Sequence, residues 1–306
     1  MSHSDAVVLE QVTKRFGNHV AVDNVDLRVK YGAIHGFLGP NGSGKTTTLR
    51  LIMRLFAPDE GRIEVMGEDH GGCSRDEVGY LPEERGLYKT MKVGDLLDFL
   101  ARLKGVRNPG PLIDEWLERL ELSEWKKKKV EALSKGMAQK VQFIGAVISR
   151  PKLALLDEPF SGLDPVNALV MREALIRLRE EGTTVILSTH DLALAEQMCD
   201  SFFLIHKGKN LLSGTWAEVQ RDHGGERVRI SFVDPGIRPM DAYGISSAIP
   251  TGEAWELHLA PGETPESVLP GLLSLGPIRR FETGQSSLGD IFLRLVGATA
   301  GASVGH

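Results

Sequence analysis

The chain is expected to fold as an α/β protein. A region of alternating strands opens it, a helical region follows from about Val93, and a small α+β domain closes it. Three observations predict this architecture. An apolar run, Ile34-His35-Gly36-Phe37-Leu38, leads into the glycine-rich Gly39-Pro40-Asn41-Gly42-Ser43-Gly44-Lys45-Thr46 and on into a helical stretch. A second apolar run, Leu153 to Leu156, ends in two carboxylates, Asp157 and Glu158. Hydrophobic spacing turns from strand-like alternation to helical periodicity near Val93, and back to alternation beyond Gly225.

In chain order, Val7 to Val12 and Val22 to Val29 alternate as strands, and Ile63 to Met66 continues the pattern. Ile34 to Leu38 reads as a short buried strand and Thr46 to Met53 as a helix. The segment between them fits the G-x-x-x-x-G-K-[ST] phosphate loop in its proper strand–turn–helix context. Backbone N–H groups of such a turn converge on an anion, and the helix N-terminus adds partial positive charge. Gly39, Pro40, Asn41, Gly42, Ser43, Gly44, Lys45, Thr46 and Thr47 are therefore the candidate phosphate cradle. Lys45 is expected to reach the β/γ-phosphates and the Thr46 hydroxyl to ligate Mg²⁺. This pattern predicts binding of a nucleoside triphosphate.

From Val93 the spacing of Val93, Leu96, Leu97, Leu100 and Leu103 predicts one helix face, and Leu112 to Leu120 a second helix after Asn108-Pro109-Gly110-Pro111. The run Lys126 to Lys129 reads as a solvated loop, with contact to anionic lipid as the alternative. Ser134-Lys135-Gly136 opens an amphipathic helix bearing Val141, Ile144 and Ile148. Its hydroxyl and amides either cap that helix or meet a second anion. Leu153 to Leu156 is apolar enough for a buried parallel strand, so Asp157 and Glu158 emerge at its C-terminal end, where ligands of open α/β sheets bind. Asp157 suits Mg²⁺ and Glu158 suits orientation or deprotonation of an attacking water. Ser161 to Asp164 follows, then a helix from Val166 to Glu181, a strand from Thr184 to Ser188 with His190 just beyond, and a strand from Phe202 to Ile205.

Gly208-Lys209 marks a tight turn, Thr215 to Gln220 a short helix, and Asp222 to Gly225 a linker. Strands are then expected at Val228 to Phe232, Trp255 to Leu259 and Ile278 to Phe281, with helices at Glu266 to Leu275 and Leu288 to Val296. That part is long enough for a core of its own. Trp255 and His258 read as packing or surface residues, and residues 298–306 as a disordered tail.

The order and spacing of these motifs resemble the nucleotide-binding subunits of ATP-binding-cassette (ABC) transporters, over roughly residues 6 to 220. Gly39 to Thr46 corresponds to Walker A, Leu155 to Glu158 to the end of Walker B, Leu133 to Met137 to the signature, Ser161 to Asp164 to the D-loop and His190 to the switch histidine. The resemblance implies a RecA-like mixed sheet with an antiparallel β subdomain and an inserted helical subdomain. It divides the chain into an ATPase domain, 1–222, with its helical subdomain at about 90–148, and an accessory domain, 226–297. It also implies ATP with Mg²⁺, and a head-to-tail ATP sandwich with a second copy or a paralogous ATPase subunit. In that sandwich Ser134, Gly136 and Asp164 serve a nucleotide, and a membrane permease docks on the helical region. Phe16 stands where the family stacks an aromatic on adenine, although local sequence fits a core Phe equally.

Three departures from the family pattern stand out. Glu83, in Gly79 to Tyr88, occupies the usual Gln of the Q-loop, so a carboxylate replaces a neutral oxygen near the metal and water. It is accordingly a candidate for both catalysis and metal binding. Lys135 replaces a Gly and Met137 a Gln in the signature. Lys135 either adds charge near the second ATP or points to solvent. The Glu-Glu-Arg-Gly-Leu-Tyr and Ser-Lys-Gly-Met segments resemble the bacterial branch of sodium-export and drug-resistance ATPases, which often carries a C-terminal appendage.

Composition agrees with a globular protein, at 306 residues with 42% hydrophobic and 25% charged content. A net charge of −5 gives no global basic field for nucleic acid, and none is expected as a partner. Cys73 and Cys199 form no pattern and fit a reducing cytosol. No apolar run approaches the roughly 20 residues that span a bilayer, and the start lacks a signal-peptide core. The expectation is a protein on the cytoplasmic face of the plasma membrane that needs a separate membrane partner. The alternative is a non-transport ABC ATPase acting on nucleic acid or ribosomes. Against it stand the lack of sustained heptads between the two halves of the core and the single cassette.

Overall fold

The computed structural model describes residues 5–69, 77–84, 86–260 and 262–301. Cys73, Arg85 and the last part of the expected tail, 302–306, lie outside the described residues. The chain forms two compact units, Met1–Trp216 and Ala217–His306.

The first unit begins with β1 (Asp5–Phe16), β2 (His19–Lys30), β3 (Ile34–Leu38), α1 (Lys45–Ile52), β4 (Glu60–Val65), β5 (Glu68–Asp69) and β6 (Val78–Leu81). Helices α2 (Val93–Leu103), α3 (Gly110–Arg119) and α4 (Lys135–Val147) follow. It closes with β7 (Leu153–Asp157), α5 (Pro165–Glu180), β8 (Thr184–Thr189), α6 (Leu192–Met198), β9 (Ser201–His206) and β10 (Lys209–Thr215).

An antiparallel sheet of order β2-β1-β4-β5 carries the early alternating segments. Val7, Leu9 and Val12 are buried, but the step from Leu9 to Val12 breaks strict alternation. Gln11, at φ 50°, absorbs the extra residue in a register shift between Leu9 and Val12. A bulge of this kind restores the inward face after one slip.

The second sheet has the order β10-β9-β3-β8-β7-β6. Strands β6, β7, β8, β3 and β9 are parallel, and β10 is an antiparallel edge. All residues of β3, β7 and β8 are buried, as their unbroken apolar runs require of strands covered on both faces. Parallel pairing brings the C-terminal ends to one edge: Leu38 opposes Thr189, Asp157 opposes Ser188 and Leu81 opposes Leu156. The candidate residues in four separate segments thus arrive together. Strand β6 was not foreseen, because its four residues, Val-Gly-Tyr-Leu, are too few to show a period.

The helical region packs around Leu96, Leu97, Ile113, Trp116, Leu117 and Phe143, with Trp116 edge-on to Phe143 at 5.8 Å. Gly145 lets α2 approach α4, since a Cβ there would lie 2.7 Å from the Leu100 side chain. One expectation is corrected. Leu103 is 70% exposed, and Ala101 takes the inward place beside Val93 and Leu97. Leu103 is the last residue of α2, at the margin of the stripe.

Helix α7 (Trp216–His223) spans the change from one unit to the other and already includes Asp222 and His223 of the stretch expected as a linker. The second unit continues with β11 (Glu226–Phe232), β12 (Ile245–Thr251), β13 (Ala254–Leu259), α8 (Pro265–Leu275), β14 (Ile278–Gln285) and α9 (Leu288–Gly301). Its antiparallel sheet has the order β12-β13-β11-β14. Val228, Ile230, Leu257, Val268 and Leu272 form its core, and Trp255 packs against them. Helix α9 continues to Gly301, into the first part of the stretch expected as a disordered tail.

Candidate functional site

At the shared strand edge a cavity of about 360 Å³ is lined by Phe16, His19, Ala21, Asn41, Gly42, Gly44, Lys45, Thr46, Thr47, Glu83, Asp157 and Glu158. Its floor is the loop between β3 and α1. Gly39 has φ +149°, and a Cβ there would lie 2.2 Å from the Ile205 carbonyl oxygen, so only glycine fits. Gly44, at φ +113°, is similarly pressed against Ala21 O at 2.5 Å. The loop is held by Ser43 N–H donating to Pro40 O and Gly208 N–H donating to Ser43 O.

Lys45 is buried, and its Nζ donates to Gly39 O at 2.7 Å and Pro40 O at 3.2 Å. Burial lowers its pKa from the ordinary lysine value, while the nearby charges of Glu158, Asp157 and Glu83 oppose that shift. Thr46 Oγ1 donates to Asp157 Oδ2 at 2.8 Å. Asp157 is 1% exposed, and its other oxygen, Oδ1, has no hydrogen-bond partner among the described residues. A buried carboxylate oxygen left unpaired is costly, so a cation or water is called for there. Oxygen donors from a hydroxyl and a carboxylate suit a hard divalent ion that completes its shell with phosphates and water.

Glu158 follows β7 with φ 50°, a left-handed conformation that costs a non-glycine residue about 1–3 kcal/mol. Three hydrogen bonds hold it. Its N–H donates to Ser188 O at 3.0 Å, and its carbonyl accepts from Ser161 N–H at 3.1 Å and from Gln139 Nε2 at 3.3 Å. The carboxylate is 2.8 Å from His190 Nδ1, which sits beyond β8 with most of its ring exposed. Glu158 lines the same cavity as Lys45 and Thr46.

Phe16 lines the cavity at 44% exposure, edge-on to Phe56 at 5.3 Å and with Lys14 Nζ 5.6 Å from its ring centroid. Glu83 also lines the cavity, on the loop after β6. Gly39, Pro40 and Ser43 sit behind the lining and shape the loop rather than facing the cavity.

Ser134, Gly136 and Asp164 do not line this cavity. Ser134 caps α4 by accepting from Met137 N–H at 3.2 Å. Gly136 lies against the Ser161–Asp164 loop, where a Cβ would come within 3.4 Å of Gly162 O. Asp164 caps α5 and accepts from Asn167 N–H at 2.9 Å, which holds its carboxyl below the ordinary value.

Sequence reasoning missed His19 and Ala21 in the lining, and Gln139 and Gln142 behind it. Gln139 and Gln142, like Lys140 between them, are buried polar residues of α4, and polar residues beside the apolar stripe of Val141 and Ile144 are the signal that could have found them.

The family described as "ABC transporter" matches residues 22–161. The family "ATP-binding protein DrrA1-3-like, C-terminal domain" matches residues 214–296. The chain is similar to an uncharacterized ABC transporter ATP-binding protein, YhaQ of Bacillus subtilis, with 41% identity over 95% of this chain and 99% of that protein. It is also similar to the daunorubicin resistance ATP-binding protein DrrA3 of Streptomyces coeruleorubidus, with 35% identity over 76% of this chain and 75% of that one. Among solved structures, a dimeric post-hydrolysis state of the ATP-binding cassette MJ0796 bound to ADP and Pi superposes with a TM-score of 0.63 at 25% identity, covering 68% of this chain and 98% of that one.

Proposed function

The chain belongs to the ATP-binding proteins of ABC transporters, and on that premise we propose how its cavity works and what it drives. It is an ABC transporter ATP-binding subunit and an ATPase. ATPases of this family dimerise and act with membrane permease subunits. The observation that carries the site reading is the contact between Thr46 and Asp157, which joins the phosphate loop to the acid-tipped strand in one cavity with Lys45 and Glu158.

In this reading Phe16 stacks on the adenine. The amides of Asn41 to Thr47 and the Lys45 ammonium receive the β- and γ-phosphates. Thr46, Asp157 and Glu83 hold Mg²⁺, which when bound neutralises charge developing on the phosphates. Glu158 orients and deprotonates the attacking water, and His190 fixes the Glu158 carboxylate. Ser134 and Gly136, which do not line their own cavity, serve the nucleotide of a second subunit in a head-to-tail pair, and Asp164 serves the same interface. Closure through γ-phosphate contacts supplies the differential affinity that a switch requires.

Transport by this subunit is outward, in a complex at the cytoplasmic face of the membrane. Its C-terminal family and its likeness to a drug-resistance ATPase support that direction. No helix among the described residues is long and apolar enough to cross a membrane. A partner surface is supported by Tyr88 (58% exposed), Phe99 (44%) and Leu103 (70%) on and beside α2, with Tyr88 edge-on to Phe99 at 6.1 Å. Apolar side chains grouped in the open fit a protein interface. The affinity-tagged chain, recovered from detergent-solubilised cells, is expected to bring an integral membrane protein with it and to load inside-out vesicles in an ATP-dependent way. Recovery with ribosomes or nucleic acid and no membrane protein would favour the non-transport reading.

The division into an ATPase domain, 1–222, and an accessory domain, 226–297, is also a proposal. Every lining residue of the cavity precedes it, and the later part has its own core. A chain ending at Gly225 is expected to stay folded and bind ATP with an affinity within about threefold of the full chain, a difference under about 1 kcal/mol. Loss of ATP binding by a folded truncated chain would refute the division.

A further inference from the structure

Gln142 lies on α4, and its side-chain amide reaches the loop after β6. Its Nε2 donates to Pro82 O at 3.1 Å and to Glu84 O at 3.1 Å. These are the carbonyls on either side of Glu83. One amide group, with its two hydrogens directed to two acceptors, thereby closes a ring around a single residue. The assignment of the nitrogen follows from the acceptors, because the amide oxygen in that place would face two carbonyl oxygens. Gln142 is 8% exposed, and its own Oε1 is buried without a partner among the described residues. Burying an unsatisfied amide oxygen is unfavourable, so the two donated bonds are what holds a glutamine here.

Residues 82–84 are in no helix or strand. Glu83 is exposed and lines the cavity, and the charge of its carboxylate acts on Lys45. On the same helix, three residues earlier and therefore on the same side, Gln139 makes the corresponding bonds to Glu158 O and Pro159 O at 3.3 and 3.2 Å. One helix face thus grips both carboxylate-bearing loops of the cavity. Ser134, at the N-terminal end of α4, lies about 12 Å from Gln142 along the axis at about 1.5 Å per residue.

We propose that Gln142 is a positioning residue that clamps the backbone around Glu83 and aims its carboxylate into the nucleotide cavity, so that a shift of α4 at its Ser134 end moves Glu83. The inference rests on the reading of Glu83 as part of the hydrolytic site. Its experiment separates the clamp from that reading.

Gln142→Leu keeps the bulk and removes both donors, and Gln142→Glu replaces donors with acceptors facing two carbonyls. Each is made in the full chain and in Glu83→Ala. Hydrogen exchange at the amides of Tyr80 and Leu81, which pair with β7 and lead into the clamped loop, is expected to speed at least tenfold in Gln142→Leu, with the melting temperature of the chain nearly unchanged. The kcat for ATP is expected to fall about tenfold with KM within twofold, and to fall less than twofold when Glu83 is already Ala. Gln142→Glu is expected to be at least as impaired. Unchanged exchange would overturn the clamp. Fast exchange with equal kcat losses in both backgrounds would overturn the action through Glu83. If Glu83→Ala alone leaves kcat unaltered, the reading of Glu83 fails while the exchange result still decides the clamp.

Discussion

Glu158→Gln is expected to lower steady-state phosphate release by about 10²-fold or more while nucleotide binding persists, in line with loss of a general base. That loss corresponds to about 2.7 kcal/mol or more in the barrier. The substitution keeps the size of the side chain and its ability to face His190 Nδ1, now 2.8 Å from Glu158 Oε1. It also leaves untouched the backbone bonds to Ser188, Ser161 and Gln139 that hold the left-handed residue. The defect is therefore confined to the carboxylate charge. Single-turnover hydrolysis and equilibrium binding of a fluorescent ATP analogue separate the two effects. Phosphate release near the wild-type rate would remove Glu158 from its role.

Lys45→Ala is expected to act earlier, on binding itself. The buried ammonium is the cation that offsets Glu158, Asp157 and Glu83 within the cavity. Without it, three carboxylates face an incoming triphosphate. Hydrogen bonds to charged groups contribute about 1.5–3 kcal/mol each, so ATP affinity is expected to fall about 10²-fold by equilibrium dialysis. The loop also loses the bonds from Nζ to Gly39 O and Pro40 O. A melting curve therefore accompanies the measurement. An unaltered dissociation constant in a folded Lys45→Ala chain would refute the phosphate role.

How far the molecule was legible in its sequence follows from what kind of signal each part leaves. Buried parallel strands leave unbroken apolar runs, so β3, β7 and β8 were readable, and so was the strand-to-helix turn at Gly39 to Thr46. The meeting of Glu83, Asp157, Glu158 and His190 follows once those strands are parallel, because their ends share one edge. Strand β12 was not foreseen. It is an edge strand with a Pro at position 250 and mostly solvent-facing residues, so it shows no apolar alternation. Gln139 and Gln142 were passed over for a related reason. Periodicity finds the apolar stripe of α4, formed by Val141, Ile144 and Ile148, but it says nothing about which backbone a buried amide will reach. The slip at Gln11 and the left-handed Glu158 are backbone events without a residue-type marker, since neither is glycine.

The central claim is that ATP closes two copies of this chain through residues that do not line their own cavity. Sedimentation velocity of the Glu158→Gln chain with Mg-ATP tests it most directly. The expected result is a shift from the 33.5 kDa chain to a species of about twice that mass, retaining two ATP per pair and returning to the monomer on nucleotide removal, with Ser134→Arg abolishing the shift. A species that stays monomeric with ATP bound, or a dimer indifferent to both ATP and Ser134→Arg, would contradict the account.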